Sequence, residues 1–472
     1  MKNENKKNNN IPIPEGWKMR KMGEVAILFK LVWKPGNQDF KYIGLEHINQ
    51  GDLTINGYGF SSKLESNKFY FKRNDVLFGK LRPYFRKVWK AKFDGVCSTD
   101  IWVIRSKEGN SQDFIFYFFA NPEFINKSTV GSIGTKMPRA DWSYLLNIEY
   151  NFPSFPEQHA IAAVLSFLDD KIELLREQNK TLEAIAQAIY KRWFVDFEFP
   201  IEDETSKLPS LKGGEPEGRG GFDNTLQLKG YKSSGGKMVE SELGEIPEGW
   251  EVIKINELFD FIKGVEPGSA NYFKYKISDY YIPFYRVQNI SDNSNVPNVF
   301  IEKSLSNNKL FDKKDILVSL DGTIGKVFIG GQGSYSSGIR KVISKNNVIG
   351  QCLIYCFLKS DYFQNGLILF SSGETTIKHA GKTLENLQIA YKHDIFEQFT
   401  KNTNSIFEKM IINLKQIQTL SALRDSLLPK LMSGKIRVPV KNEAETTLLD
   451  GDCHSSLTEE GLKSENPQTE GE

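Results

Sequence analysis

The sequence predicts an α+β chain: two tandem globular domains of mixed helix and strand, separated by two long helices that form an antiparallel coiled coil. Three observations predict it. The pentapeptide Ile13-Pro14-Glu15-Gly16-Trp17 returns as Ile246-Pro247-Glu248-Gly249-Trp250, an offset of 233 residues. Each half then closes on a long apolar stripe with heptad spacing, and a Gly-, Lys-, Glu- and Ser-rich stretch parts the halves. At 472 residues the chain is also too long for one compact domain, while 39% hydrophobic and 25% charged residues are ordinary for folded proteins.

Residues 1–11 begin MKNENKKNNN and read as a disordered leader, because they lack the apolar centre of a secretory signal. No run in the chain approaches the roughly 18 apolar residues of a membrane span, so a cytoplasmic protein is expected. Residues 12–155 make the first domain. Its β-branched and aromatic runs at 76–78, 84–89 and 101–104 read as strands of a strongly curved sheet, and 114–119 as a short helix.

Residues 156–198 make the first long helix. Ile161, Leu165, Leu168, Ile172, Leu175, Asn179, Leu182, Ala186, Ile189 and Trp193 alternate at steps of four and three. Residues 199–245 read as linker, 246–393 as the second domain and 394–432 as the second helix. That helix carries Phe399, Thr403, Ile406, Met410, Asn413, Ile417, Leu420, Arg424, Leu427 and Leu431 at the same steps. Each seam is about 55 Å long at about 1.5 Å per residue, and the simplest partner for either is the other. An antiparallel pairing puts the domains at opposite ends, with Asn179 and Asn413 fixing the register. Trp17 and Trp250 are expected to pack against the sheets.

Residues 433–472 read as an acidic, disordered tail. From Pro439 onward nine acidic residues face two lysines, so a formal charge of +2 leaves the remaining body near +9. A basic body fits nucleic-acid binding, although basic surfaces are often merely solvated. Further landmarks keep the two halves in step. Asp75-Val76-Leu77-Phe78 answers to Asp315-Ile316-Leu317-Val318, Cys97-Ser98-Thr99 to Tyr335-Ser336-Ser337, and GSIGTKMP at 131–138 to the segment 372–381.

Catalytic chemistry is not expected. Asn121-Pro122-Glu123-Phe124 resembles the adenine-methyltransferase motif but has Glu in place of its second Pro. Gly381-Lys382-Thr383 lacks the upstream Gly of a phosphate-binding loop. Four cysteines and five histidines are scattered without metal-ligand or triad spacing, so no metal site is expected, and Cys352 and Cys356 read as core residues.

The order of parts is similar to a known family. A globular domain leads into a heptad helix ending Phe194-Val195-Asp196-Phe197-Glu198-Phe199. The connector 231–244 (YKSSGGKMVESELG), a second IPEGW domain and a second helix ending Leu431-Met432-Ser433-Gly434-Lys435-Ile436-Arg437-Val438 follow. Over about residues 11–438 the chain resembles the specificity (S, HsdS) subunit of type I restriction–modification systems. The expanded linker and the acidic tail depart from that pattern. The resemblance implies that the globular parts are target-recognition domains, each reading half of a split double-stranded DNA sequence. It also implies that the helices set their separation and bind two methyltransferase subunits, through which restriction subunits join. Cofactors are then expected on partners and not in this chain: S-adenosylmethionine, ATP and Mg²⁺. The alternatives are a subunit of a fused or type IIB-like system, or a coiled-coil assembly protein whose ends bind proteins.

Two half-sites approached from one face of a duplex lie about 34 Å apart, which a stiff spacer suits. The sharpest DNA-binding candidates in the first domain are Lys80, Arg82, Tyr84, Arg86 and Lys87, with Lys80 and Lys87 suited to phosphates and Arg82 or Arg86 to guanine. A solvated basic hairpin is the competing reading. Thr135, Lys136 and Arg139 form a second Gly-flanked group. The corresponding places in the second domain hold Asp321, Thr323 and Lys326, then Ser336 and Arg340, then Thr375, Thr376 and Lys378. Asp321 suits a cytosine amino group, or its own loop.

Overall fold

The computed structural model describes residues 13–36, 38–201, 230–291, 297, 299–369, 378–379, 384 and 387–440. Its two domains repeat one topology. In the first, a four-stranded antiparallel sheet runs in the order Ala26–Leu28, Ile101–Ser106, Val76–Gly79, Val88–Lys90. In the second the order is Phe259–Lys263, Ile339–Ser344, Ile316–Ser319, Val327–Phe328. Each domain adds a second sheet built on a parallel pair, Lys41–Ile43 with Gly95–Cys97 and Tyr281–Tyr285 with Gly333–Tyr335. The repeat reaches individual side chains. Arg105 holds Asp75 with two hydrogen bonds of 2.7 and 2.9 Å, and Lys341 stands 3.2 Å from Asp315 at the matching place.

One strand expectation fails. Residues 84–89 are not continuous: Pro83–Phe85 is a 3-10 turn, and strand begins only at Val88–Lys90. The proline sets the turn's φ, and the chain then closes on itself through Arg86 N–H to the Pro83 carbonyl at 2.8 Å. The string at 121–124 has a structural explanation instead of a catalytic one. Asn121 caps the helix Pro122–Val130 by accepting from the Glu123 amide, and Phe124 is buried.

The long helices, Phe155–Phe194 and His393–Met432, pack antiparallel along the expected seams. Asn413 Nδ2 donates to Asn179 Oδ1 at 2.9 Å, Arg424 reaches Asp169 at 2.8 Å, and Trp193 meets Phe399 with ring centres 5.6 Å apart. All twenty seam residues are buried or half-buried. Each domain grips both helices. The first domain's core includes Ile161 and Leu165 from one helix and Leu428, Leu431 and Met432 from the other. The second domain's core takes Ala186, Tyr190 and Trp193 with Phe396, Phe399 and Phe407. Burying each large side chain contributes about 1.5–3 kcal/mol, so the rod and the domains stabilise one another.

The two repeated tryptophans do not simply lie on sheets. Trp17 donates its indole N–H to Glu157 Oε2 at 3.0 Å, and Arg437 grips the same carboxylate at 2.6 and 2.9 Å. Trp250 is ringed by Phe194, Phe197 and Phe199 at 6.2, 5.5 and 5.4 Å. Each tryptophan thus receives the segment leaving the other repeat's helix: aromatic rings pack around Trp250, and Arg437 grips the carboxylate that takes the Trp17 N–H. Gly434, at φ +70°, lets that segment pass Pro14; a Cβ there would lie 2.4 Å from Pro14 Cγ. Within the stretch read as linker, Met238–Ser241 pairs with Gly244–Pro247 as a hairpin. Among the described residues no helix is long and apolar enough to cross a membrane.

Candidate nucleic-acid interface

Three loops converge at one edge of the first domain. The loop after Val76–Gly79 is closed by Gly79 N–H to the Lys87 carbonyl at 2.8 Å. Arg82 and Arg86 flank its 3-10 turn at φ +51° and +52°, a left-handed conformation uncommon for side-chain-bearing residues and concentrated where function constrains the backbone. The second loop lies between Ser132–Ile133 and Arg139–Ala140, and it is stitched to the first. Arg82 N–H donates to the Pro138 carbonyl at 2.7 Å, and Ala140 N–H to the Lys80 carbonyl at 2.9 Å.

The sequence missed the third loop, residues 44–58. Gly51 N–H donates to the Arg86 carbonyl at 3.2 Å, and Lys87 Nζ to the Leu45 carbonyl at 2.5 Å. Its signal was present as a density of turn formers, Asn49-Gln50-Gly51-Asp52 and Asn56-Gly57, that no local rule ties to the basic loop. Asp52 also binds Arg176 of the first long helix at 2.7 and 2.9 Å, so this edge is seated on the rod.

Electrostatics sort the candidates. Arg139 is committed to Asp100 by bonds of 2.8 and 3.1 Å, and that hydrogen bonding holds the Asp100 carboxyl below its usual range. Burial pulls the Lys80 ammonium below the ordinary lysine value, against the pull of Asp100 4.0 Å away. Lys87 is turned to backbone. Tyr84, Thr135 and Lys136 are exposed, and Arg82 and Arg86 are half-buried; the Arg82 guanidinium makes a long 3.4 Å bond to the Lys136 carbonyl. Arg82, Arg86, Tyr84, Thr135 and Lys136 are therefore the groups best placed to meet a ligand.

The second domain builds its edge the same way with other chemistry. Asp321–Gly322 pairs with Lys378–His379, just as Leu81 bridges Arg139 in the first domain. Thr323 and Lys326 are exposed, on a loop shaped by Ser319, whose hydroxyl accepts from Lys326 N–H at 2.9 Å and donates to the Thr323 carbonyl. Arg340 donates to the Ser337 and Ile339 carbonyls at 2.6 and 3.2 Å; burial lowers its pKa and the nearby Asp321 opposes that. Ser336 is buried, its backbone bridged to Val265. Thr375 and Thr376 lie outside the described residues, as does the side chain of Lys378. Among the described residues no group of three or more His, Cys, Asp or Glu could hold a metal ion.

Two loop edges with different side chains, seated on one antiparallel rod, define a two-headed recognition module. The type I restriction modification DNA specificity domain matches the chain at residues 14–184 and again at 247–415. The MjaIX specificity subunit of Methanocaldococcus jannaschii is 29% identical over 346 residues, covering 70% of this chain and 71% of its own length. The HindI specificity subunit of Haemophilus influenzae is 27% identical over 450 residues, 84% of this chain and 95% of its own. A crystallised type I S subunit from M. genitalium is similar over 90% of this chain and 97% of its own, at 18% identity and a TM-score of 0.46. The chain belongs to the type I restriction–modification DNA specificity family. As a specificity subunit it supplies sequence recognition and is not itself a catalyst.

Proposed function

We propose that each domain edge reads one half of a split duplex target, and that the helix pair carries two methyltransferase subunits through which restriction subunits join. S-adenosylmethionine, ATP and Mg²⁺ belong to those partners in this reading.

One observation supports the two docking places. Both long helices have 40 residues, and a shift of 238 (393 − 155) maps one on the other. With the seam at heptad positions a and d, contacts that tie the domains to the middle of the rod fall at b and e, among them Asp52 on Arg176, Lys92 on Glu173, Tyr355 on Glu183, and the Gly330 carbonyl on Gln418. Over residues 164–192 and 402–430, positions c and g face away and are exposed. On that outward face the two helices agree: Lys171 with Lys409, Leu174 with Ile412, Gln178 with Gln416, Thr181 with Thr419, Ile185 with Leu423. Even the exposures match, 50% and 48% for Leu174 and Ile412, 45% and 44% for Ile185 and Leu423. The inward face does not agree, since Glu173, Arg176, Lys180 and Glu183 answer to Ile411, Leu414, Gln418 and Ser421. A face repeated outward and altered inward fits two copies of one partner. Exposed apolar residues in register on one face are the usual mark of such a surface.

The test is coexpression with the methyltransferase subunit of the same system, followed by mapping of modified adenines. A split, asymmetric motif is expected, and exchanging residues 12–155 for those of another family member is expected to change one half of it. An unsplit motif, or a change in both halves, would overturn the reading.

A further inference from the structure

The outward face is repeated only in part. Toward the first domain it continues through Val164 and Phe167, which are 38% and 72% exposed. The twins of these residues, 238 positions on, are Asn402 and Ser405, also exposed. The pairing of Arg424 with Asp169 sets Leu423 beside the same stretch, so Val164, Phe167, Leu174 and Leu423 lie along one end of the rod. The other end offers Ile412 and Ile185 alone, flanked by the polar twins.

We propose that the two methyltransferase docking sites are unequal, and that the site at the first-domain end, extended by Val164 and Phe167, fills first and holds its subunit more tightly. This rests on the docking reading above. A partner that fits the repeated stretch at both ends is one molecule, presenting one surface twice. Because Val164 and Phe167 continue that stretch on the same helical face, the surface that covers Leu174 and Lys171 is carried onto them. At the other end it meets an amide and a hydroxyl, which must give up water to be covered. Burying a phenylalanine and half a valine instead of two polar groups corresponds to about a 10- to 100-fold difference in affinity.

The experiment titrates the full-length chain with the purified methyltransferase subunit of its own system and resolves the two binding steps by native mass spectrometry. Two dissociation constants are expected, about tenfold or more apart beyond the statistical ratio of identical sites. Val164→Asn with Phe167→Ser is expected to bring the tight constant to the weak one. Asn402→Val with Ser405→Phe is expected to tighten the weak step and leave the first unchanged. All four positions are exposed, and unchanged urea unfolding would verify that the fold is kept. Equal constants that ignore Phe167→Ser would overturn the inequality and leave the docking reading standing. Failure of the wild-type chain to bind the subunit at all would overturn the docking reading itself. Self-association that Phe167→Ser abolishes, with both methyltransferase constants untouched, would assign the strip to a second copy of this chain and overturn the proposal.

Discussion

The two reading edges share an architecture and differ in almost every side chain that faces outward. In both, the loop after the central strand is bridged to a later segment, by Leu81 with Arg139 and by Asp321 with His379. In both, an aspartate at the foot of that strand is held by a cation on its neighbour. At the rim the first domain presents Arg82, Arg86, Tyr84 and Lys136, and the second Asp321, Thr323 and Lys326. Duplication has kept the parts that carry the loops and changed the parts that would touch a target, so the two half-sites are expected to be different sequences. The domains also differ in how they are seated. The first uses a buried arginine in the seam, paired with two partly exposed aspartates, and the second a half-exposed pair.

That contrast in seating has the largest expected effect. Arg424 is 1% exposed; it binds Asp169 at 2.8 Å and Asp425 at 3.0 Å, while the Tyr117 hydroxyl donates to Asp169 at 2.7 Å. Arg424→Ala would remove the buried side chain that fills the seam and leave the half-buried Asp169 with the Tyr117 hydroxyl alone, and is expected to lower stability by about 2–4 kcal/mol in urea unfolding. The second domain's counterpart joins Glu183 to Tyr355 and Lys359, with Glu183 and Lys359 each 32% exposed. Water screens it, so Glu183→Ala is expected to cost about 1 kcal/mol. Equal losses would break the comparison.

At the rims the effects are smaller and separable by half-site. Arg82→Ala or Arg86→Ala is expected to remove about 1–3 kcal/mol of discrimination at one base pair of the first half-site only, measured as competition between duplexes altered at single positions. Lys326→Ala, a change of charge without a planar fork, is expected to weaken all duplexes alike and to reduce the salt slope of binding by about one. Loss of second-half discrimination in the Arg82 variant would mean that the edges are not independent readers.

The helix pair was legible in the sequence because its signal is local and periodic: ten seam positions at steps of four and three leave little else for either segment to do. The repeat was legible because Asp75 and Asp315, and the strands that follow them, kept their order. What escaped depends on contacts between distant residues. Nothing near Arg139 announces that Asp100 will occupy it, and nothing near residue 51 announces Arg86. Read alone, residues 84–89 have the aromatic and β-branched content of a strand; the proline and the two left-handed arginines win because the loop must fold back onto Pro138. Trp17 looked like sheet packing because Glu157, which takes its indole N–H, lies 140 residues on, and Arg437, which grips Glu157, lies 280 residues beyond that.

The smallest effect concerns register. The 238-residue shift sends Asn179 to Ile417 and Asn413 to Leu175, so the polar layer Asn179–Asn413 has as its twin the apolar layer Leu175–Ile417. The rod is therefore lopsided about its centre. Asn179 Nδ2 also donates to the Met410 carbonyl at 3.2 Å, which leaves the Asn413 Oδ1 without a hydrogen-bond partner among the described residues. Such a layer favours one alignment at a cost in stability, since any slide by a heptad would set an amide against a hydrophobic side chain. Replacing it with a copy of its twin, Asn179→Ile with Asn413→Leu, is expected to raise stability in urea by about 1 kcal/mol. The mapped gap between half-sites is expected to stay the same, because Asp52 on Arg176 and Tyr355 on Glu183 still hold each domain to its own turn of helix. A gap that lengthens or becomes heterogeneous would show instead that the asparagines, and not the domain anchors, set the span.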